Sequence, residues 1–189
     1  MRRSFTWSLE NRLQLVLIIV GIALLGIGLA GLIAKKQIVL QKAIYGRPVF
    51  YTPDGPIKRE ELLGIVNKVR AEHSLPELRP DNRLDWVAWK RGEELSREGT
   101  FSHATGIKYT EFLPIAFYDY SSVAENLAMG YEKPEEVVRA WLKSEPHAKE
   151  VLTEKMVDVG LASSGGEFNG IYRTVTVMIV GKENMLVQR

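Results

Sequence analysis

Two histidines and one glutamate could carry chemistry in this sequence: His103, Glu125 and His147. His103 lies in Thr-Phe-Ser-His-Ala-Thr-Gly, Glu125 in Ala-Glu-Asn-Leu-Ala-Met-Gly, and His147 in Ser-Glu-Pro-His. Two neutral imidazoles and one carboxylate can hold a divalent metal such as zinc and leave a position open for water. Without a metal, the same groups can exchange protons near neutral pH. The sequence therefore offers two chemistries for one candidate site.

Each of these residues also has a purely structural interpretation. Ser122-x-x-Glu125 has the spacing of a capping box, in which Glu125 would satisfy a backbone N–H at the start of a short helix. Ser144 and His147 have the same offset, which would make His147 a first-turn residue, and His103 could simply hold its loop by hydrogen bonds. No His-Glu-x-x-His, P-loop, Gly-x-Gly-x-x-Gly or Gly-x-Ser-x-Gly motif points to one enzyme class.

Composition excludes several classes of protein. The chain has 189 residues, no cysteine and a net charge of +2. Without cysteine there can be no disulfide framework, thiolate metal site or thiol nucleophile. The small net charge gives no reason to expect a nucleic-acid partner. All of the excess positive charge lies before residue 35, in a segment that contains three arginines and one acidic residue, Glu10. The remaining chain has 22 basic and 22 acidic residues.

Residues 13–34 form an apolar run of 22 residues in which Gln14 is the one strongly polar member. At about 1.5 Å per residue, such a helix spans roughly 33 Å, enough for a hydrocarbon core of about 30 Å. A cleaved signal peptide is the alternative, but its apolar region is usually only about 7–15 residues long. We therefore expect one transmembrane helix after a basic flank at residues 1–12. Basic residues lie on both sides of it, so charge does not set its orientation.

Small residues recur at every fourth position near the end of this run, at Gly26, Ala30 and Ala34. Such a row lets two spans approach closely, so a homodimer through the membrane helix is one expectation. Small residues are also common in single spans, which leaves a monomer open.

The body of the chain begins with helical patterns. Apolar spacing predicts a helix from about Lys58 to His73, where a histidine cation would be favourable at the helix end. A second helix is predicted from about Asn82 to Arg97, with Asp81 as its cap and Gly99 at its end. Shorter helices are expected near Tyr109 to Leu113, from Ser122, from Lys133 to Lys143, and after Ser144 towards Leu152.

The last third of the chain changes to the alternation of strands. Val157, Val159 and Leu161 alternate with other residues, as do Val175, Val177 and Ile179. The Gly-rich stretch 163–170 would join the two as a hairpin. Helices first and a hairpin last favour the α+β class. We place a connector at residues 35–58, one domain at 59–183 and a C-terminal tail at 184–189.

A set of short motifs appears in a fixed order between Leu63 and Gly181. These landmarks are Asn67-Lys-Val-Arg70, Leu75-x-x-Leu78, Leu84 to Ala88, Phe101-Ser-His103, Ala124 to Gly130, Trp141-x-x-Ser144-x-x-His147 and Val159-Gly160. Each motif is weak, but the ordered set resembles the CAP superfamily (the cysteine-rich secretory, antigen 5 and pathogenesis-related proteins). In its lack of cysteine, the chain resembles the bacterial SCP-like branch of this superfamily.

The resemblance implies an α–β–α sandwich with a small antiparallel sheet between helical layers. It also implies a cleft in which His103, Glu125 and His147 converge. Eukaryotic relatives have two histidines and two glutamates there and can bind a divalent metal. This chain departs from that pattern, because Ser144 stands where the second glutamate is expected and the terminal strands contain no histidine. The resemblance therefore implies a candidate site for a metal such as zinc at His103, Glu125 and His147, but not the full ligand set of the eukaryotic relatives.

The resemblance leaves three functions open. Such domains are usually displayed outside the cell, which favours a single-pass anchor at residues 13–34 in the cell membrane with an extracytoplasmic domain. One function is binding of a lipid, glycan or peptide at the cleft, and the aromatic-rich stretch 109–120 could line it. The alternative is a metal-assisted, peptidase-like hydrolase that uses His103, Glu125 and His147. In the third, these residues only stabilise loops.

Overall fold

A computed structural model of the chain describes residues 52–184. The predicted membrane helix at 13–34, its basic flank, most of the connector and nearly all of the C-terminal tail lie outside these residues. The transmembrane anchor and the homodimer through it therefore stay predictions. Across residues 52–184, every helix is too short or too polar to cross a membrane.

Five helices and four strands make up the described residues. In chain order they are α1 (Arg59–Glu72), β1 (Arg79–Pro80), α2 (Asn82–Glu98), α3 (Tyr109–Ile115), β2 (Tyr120–Met129), α4 (Pro134–Lys143), α5 (Glu145–Val151), β3 (Asp158–Phe168) and β4 (Ile171–Glu183). The mixed helix and strand content confirms the α+β expectation.

Local capping signals correctly predicted where the longest helix, α2, begins and ends. The Asp81 side chain accepts a hydrogen bond of 2.9 Å from the backbone N–H of Arg83, which satisfies one of the free donors of the first turn. Gly99 ends the helix in the left-handed conformation, with φ of 61°. Glycine reaches this conformation without a steric penalty, so it is the usual residue at this position.

The sheet has four strands in the order β1-β3-β4-β2 and is mixed, where the prediction was antiparallel. The two residues of β1 pair in parallel with β3, and the remaining neighbours are antiparallel. Two backbone bonds hold β1: Arg79 N–H donates to Val157 O at 2.8 Å, and Asp81 N–H donates to Val159 O at 2.9 Å. Pro80 lies between these two donors, at an edge where its missing N–H costs nothing.

The predicted helix at Ser122 is wrong, because these residues belong to the strand β2. This strand pairs antiparallel with β4, and Glu125 lies opposite Ile179 and Leu127 opposite Val177. The polar residues of β2 conceal its alternating pattern in the sequence. Glu125 therefore has no role in a capping box.

The terminal hairpin is confirmed, but its connection is much shorter than the predicted stretch 163–170. The two strands continue to Phe168 and from Ile171, so that only Asn169 and Gly170 form the turn. Both turn residues have positive φ, at 52° and 76°. Asn-Gly is the preferred pair for such a turn, because its twist matches that of the strands.

Two apolar cores lie on opposite faces of the sheet. One core joins the sheet to α1, α4 and α5 and contains the buried ring of Trp141. The other joins it to α2 and contains Leu95 and, from the α3 region, Leu113. Neighbouring residues of β4 enter different cores, Val177 the second and Met178 the first. Helices therefore cover both faces of the sheet.

Candidate functional site

Neighbouring residues of β2 hold the two candidate histidines from opposite faces of the sheet. Successive side chains of a strand point to opposite sides. Glu125 contacts His103, with 2.8 Å between Oε1 and the ring Nδ1. Asn126 donates from Nδ2 to the backbone carbonyl of His147 at 2.9 Å. His103 follows α2 on one face and His147 belongs to α5 on the other, so both reach the site at the edge formed by β2.

The structure brings all three predicted site residues together. The rings of His103 and His147 have centroids 5.8 Å apart and are tilted by 49°. With Glu125 they line an open cleft of about 320 Å³. The other lining residues are Tyr109, Val123, Ala124, Asn126, Pro146 and Glu150.

Arg91 is the residue that positions His103, and sequence reasoning missed this role. Its guanidinium is fully buried and donates from Nε to Oε2 of Glu125 at 2.8 Å. The remaining nitrogens donate to four carbonyls of the following loop, those of Ser102, His103, Thr105 and Ile107. Arg91 therefore fixes both the carboxylate and the loop that carries the imidazole.

The signal for Arg91 was present in the sequence. Leu84, Val87, Ala88 and Leu95 form the apolar face of α2, and Arg91 lies among them at helical spacing. A charged group on a buried helix face requires a partner, since an isolated buried charge is very costly. The partner could not be named from the sequence, because Glu125 is 34 positions away.

Hydrogen bonding sets the orientation of the His103 ring. Both oxygens of Glu125 accept hydrogen bonds, and its side chain is only 2% exposed. An ionised carboxylate only accepts, so the contacting Nδ1 of His103 carries a proton. The other ring nitrogen, Nε2, is then the acceptor when the ring is neutral. The ring itself is 55% exposed and can meet a ligand.

Two other groups in the cleft have shifted pKa values. Burial, followed by the charge of His103, lowers the pKa of His147, so this ring favours the neutral form. Burial, followed by the charge of Glu125, raises the pKa of Tyr109 to about 12. The Tyr109 hydroxyl therefore keeps its proton and can donate a hydrogen bond at neutral pH.

The residues present do not fit a three-ligand metal site. Among residues 52–184, no group of three His, Cys, Asp or Glu side chains is arranged to hold a metal ion. Glu125 explains why: Arg91 and His103 already occupy its two oxygens. The metal role predicted for the three residues is not confirmed, and Glu125 acts on His103 as a positioning residue.

The structural interpretations have mixed outcomes. His73 does lie at the end of α1, where its Nδ1 is 2.9 Å from the carbonyl of Val69. Ser144 precedes α5, but its side chain makes no capping bond. Of the predicted aromatic-rich stretch 109–120, Tyr109 lines the cleft, whereas Leu113 and Tyr118 belong to the core.

The chain also resembles proteins of known sequence. It is 27% identical over 104 residues to the uncharacterized protein YkwD of Bacillus subtilis, covering 54% of this chain and 40% of that protein. It is 29% identical over 105 residues to the uncharacterized membrane protein YlbC of the same organism, covering 54% of this chain and 30% of that protein. The chain thus matches less than half the length of either relative.

Solved structures support the same fold. An extracellular protein containing an SCP domain from Bacillus anthracis matches with a TM-score of 0.55 at 22% identity, over 65% of this chain and 40% of that one. An outer surface protein from Borrelia burgdorferi matches with a TM-score of 0.56 at 23% identity, over 67% of this chain and 95% of that one. The family model for the CAP domain, described as the cysteine-rich secretory protein family, matches residues 63–180. This match spans most of the described residues, and the chain belongs to the CAP family.

Proposed function

We propose that the chain is a membrane-anchored, extracytoplasmic CAP domain that binds a ligand at the cleft between His103 and His147. The apolar run at residues 13–34 would be the anchor, with its N-terminus in the cytoplasm. Two similar proteins support this placement by their descriptions, one as a membrane protein and the other as an extracellular protein.

The observation that carries the binding function is the chain of contacts from Arg91 through Glu125 to His103. Its inner end is fully buried and its outer end is a ring that is 55% exposed. Burying an ion pair costs desolvation energy that the attraction between the charges only partly offsets. Such a pair is a poor way to stabilise a fold, but it holds a surface imidazole in one orientation. A preoriented group loses less entropy when a ligand binds.

The lining of the cleft favours a polar ligand among the candidate lipids, glycans and peptides. Tyr109 supplies a donor, and the two imidazoles supply an acceptor or a donor according to protonation. Asn126 adds a buried acceptor, because its Oδ1 has no hydrogen-bond partner among the described residues. The cleft is open and holds about 320 Å³, room for a sugar ring or a short peptide segment.

Ring resonances of histidine provide a direct test, because the chain has only three histidines. The full chain, with ¹³C-labelled histidine in phosphatidylcholine nanodiscs, would be titrated with chitotriose, trialanine and glycerophosphocholine as glycan, peptide and lipid-headgroup probes. We expect at least one probe to shift the His103 and His147 signals and to leave His73 unchanged. Binding followed at His147 should weaken at least tenfold in His103→Ala and stay unchanged in His73→Ala. The proposal fails if all three probes leave both rings unchanged.

Membrane placement needs its own test. External protease added to intact cells should cleave a reporter fused to the C-terminus. A reporter fused to the N-terminus should stay protected in the same experiment. Protection of the C-terminal reporter would contradict the extracytoplasmic placement. A zinc titration of the same labelled chain, with an assay for peptide cleavage, tests the hydrolase alternative separately, because only that alternative requires both a metal response and turnover.

A further inference from the structure

A second cavity lies far along the sheet from β2, at the opposite edge, between the start of α1, the start of α2 and the strands β1 and β3. It has a volume of about 400 Å³. Its walls combine apolar side chains with a few charged and polar groups, which is the usual composition of a small-molecule site. The apolar residues are Leu63, Pro80, Val159 and Leu161, and the polar residues are Arg59, Glu60, Asn82 and Asp85.

Asp85 is the most deeply placed charge in this cavity. Its Oδ1 accepts a hydrogen bond of 2.9 Å from the backbone N–H of Leu161. The strand β1 ends before it can pair with Leu161, so Asp85 takes over the partner role at this edge of β3. The side chain is only 9% exposed. Its second oxygen, Oδ2, is 3.6 Å from Nη1 of Arg59.

The charges around the cavity do not balance. Among the described residues that line it, Arg59 is the one cation, against the carboxylates of Glu60 and Asp85. Arg59 contacts both of them, at 3.3 Å and 3.6 Å, longer than the usual distance of about 2.8 Å for a charge-assisted hydrogen bond. When Asp85 is ionised, the cavity therefore carries an excess negative charge beside an apolar wall.

We propose that this cavity is a second binding site, for a ligand that carries a primary ammonium group on a short alkyl chain. The ammonium would lie against Oδ2 of Asp85, and the alkyl chain would lie along Leu63 and Pro80, next to the buried side chains of Val159 and Leu161 that also line the cavity. This site shares no residue with the cleft at His103 and His147, so each can fail without the other.

The protonation of Asp85 makes the binding depend on pH. Burial raises the pKa of Asp85 to about 6; the charges of Asp81 and Glu60 act in the same direction, and the Leu161 N–H and Arg59 act against it. An ammonium requires the ionised carboxylate. The ionised fraction rises from about one tenth at pH 5 to about nine tenths at pH 7, so affinity should rise about tenfold over this interval.

Methyl NMR on the full chain in phosphatidylcholine nanodiscs tests the site. With leucine and valine methyl groups labelled, n-butylammonium chloride should shift the signals of Leu63, Val159 and Leu161, and sodium butyrate should not. Asp85→Asn should weaken amine binding at least tenfold, because asparagine can still accept from Leu161 but has no charge. At pH 8, where Asp85 is ionised, Arg59→Met should strengthen it severalfold, because a competing cation is gone. The control is Glu61→Gln on the same helix, an exposed residue outside the cavity lining, with an expected change within about twofold.

Three results would overturn the proposal. These are butyrate shifting the three methyl signals in place of the amine, an amine affinity that is the same at pH 5 and pH 7, and an Arg59→Met variant that binds the amine more weakly at pH 8. If Asp85→Asn does not fold, the pH series and the Arg59→Met variant still decide the question.

Discussion

Two arginines of the same helix, Arg83 and Arg91, are fully buried and paired with carboxylates, yet their surroundings differ. Arg83 contacts Asp81 and Glu183, and its guanidinium lies 4.8 Å from the centre of the Tyr118 ring. All of these partners are buried or nearly so. These contacts tie the start of α2 to the end of β4, and Tyr118 extends them to Asp158, to which its hydroxyl donates at 3.0 Å.

The Arg91 cluster instead ends at an exposed imidazole. Its carboxylate, Glu125, passes the contact on to His103, whose ring is 55% exposed at an open cleft. Comparison of the two clusters shows that a buried ion pair alone does not mark a functional site. What distinguishes the second pair is that it orients an exposed imidazole at an open cleft.

The largest effect on stability is expected from Arg83→Met. It removes one cation from two carboxylates, and loss of one partner from a buried pair typically costs about 3–5 kcal/mol. Urea denaturation should show this loss, whereas the His103 and His147 resonances should stay in place. Arg79→Met is the matched control: Arg79 pairs with Asp158 at 3.1 Å but is 71% exposed, so its loss should cost below about 1 kcal/mol.

Arg91→Met should cost slightly less, about 3 kcal/mol, because only one carboxylate loses its partner. Unlike the change at Arg83, it should also shift the His103 resonance and increase amide exchange in residues 102–107, whose carbonyls Arg91 holds. If the two arginine variants have the same effect on the histidine resonances, the distinction between the two clusters is wrong.

Glu125→Gln should cost about 2 kcal/mol, since it weakens hydrogen bonds to a charged group and leaves Arg91 without its counter-charge. The amide can still accept from Nδ1 of His103, but it can also turn its NH₂ group towards the ring. We therefore expect ¹⁵N spectra of the variant to show two tautomers of the His103 ring, where the wild type shows one. An unchanged tautomer ratio would show that Glu125 does not orient His103.

The smallest effect concerns pH and His147. Because its pKa is lowered in the fold, the unfolded chain takes up a proton first as the pH falls through about 6.5, and stability decreases there. Denaturation midpoints of the wild type and of His147→Gln, measured from pH 7.5 to pH 5.5, should differ by this contribution, with the wild type losing more stability as the pH falls. Asp85, whose raised pKa acts in the opposite direction, is common to both proteins. The partners described for Arg83 include no histidine, so Arg83→Met should leave the size of this pH dependence unchanged. If His147→Gln loses as much stability as the wild type when the pH falls, another group causes the effect.

Elements whose signals are local were predicted well. The ends of α2 follow from Asp81 and Gly99, which act on backbone groups a few residues away. The strand β2 was missed, because Ser122 and Glu125 matched a local helix signal while its true partner, β4, lies about 50 residues further along. Pairing across the sheet overrode the local pattern.

The sequence by itself determined which groups are available: three histidines, no cysteine, an arginine on an apolar helix face and the ordered motifs of the family. Only the tertiary structure decided how they meet. His103 and Glu125 are 22 positions apart, and Arg91 and Glu125 are 34 apart. Their contacts depend on α2 packing against one face of the sheet and α5 against the other. Because burial of the apolar cores drives that packing, no local spacing could identify Glu125 as the partner of both.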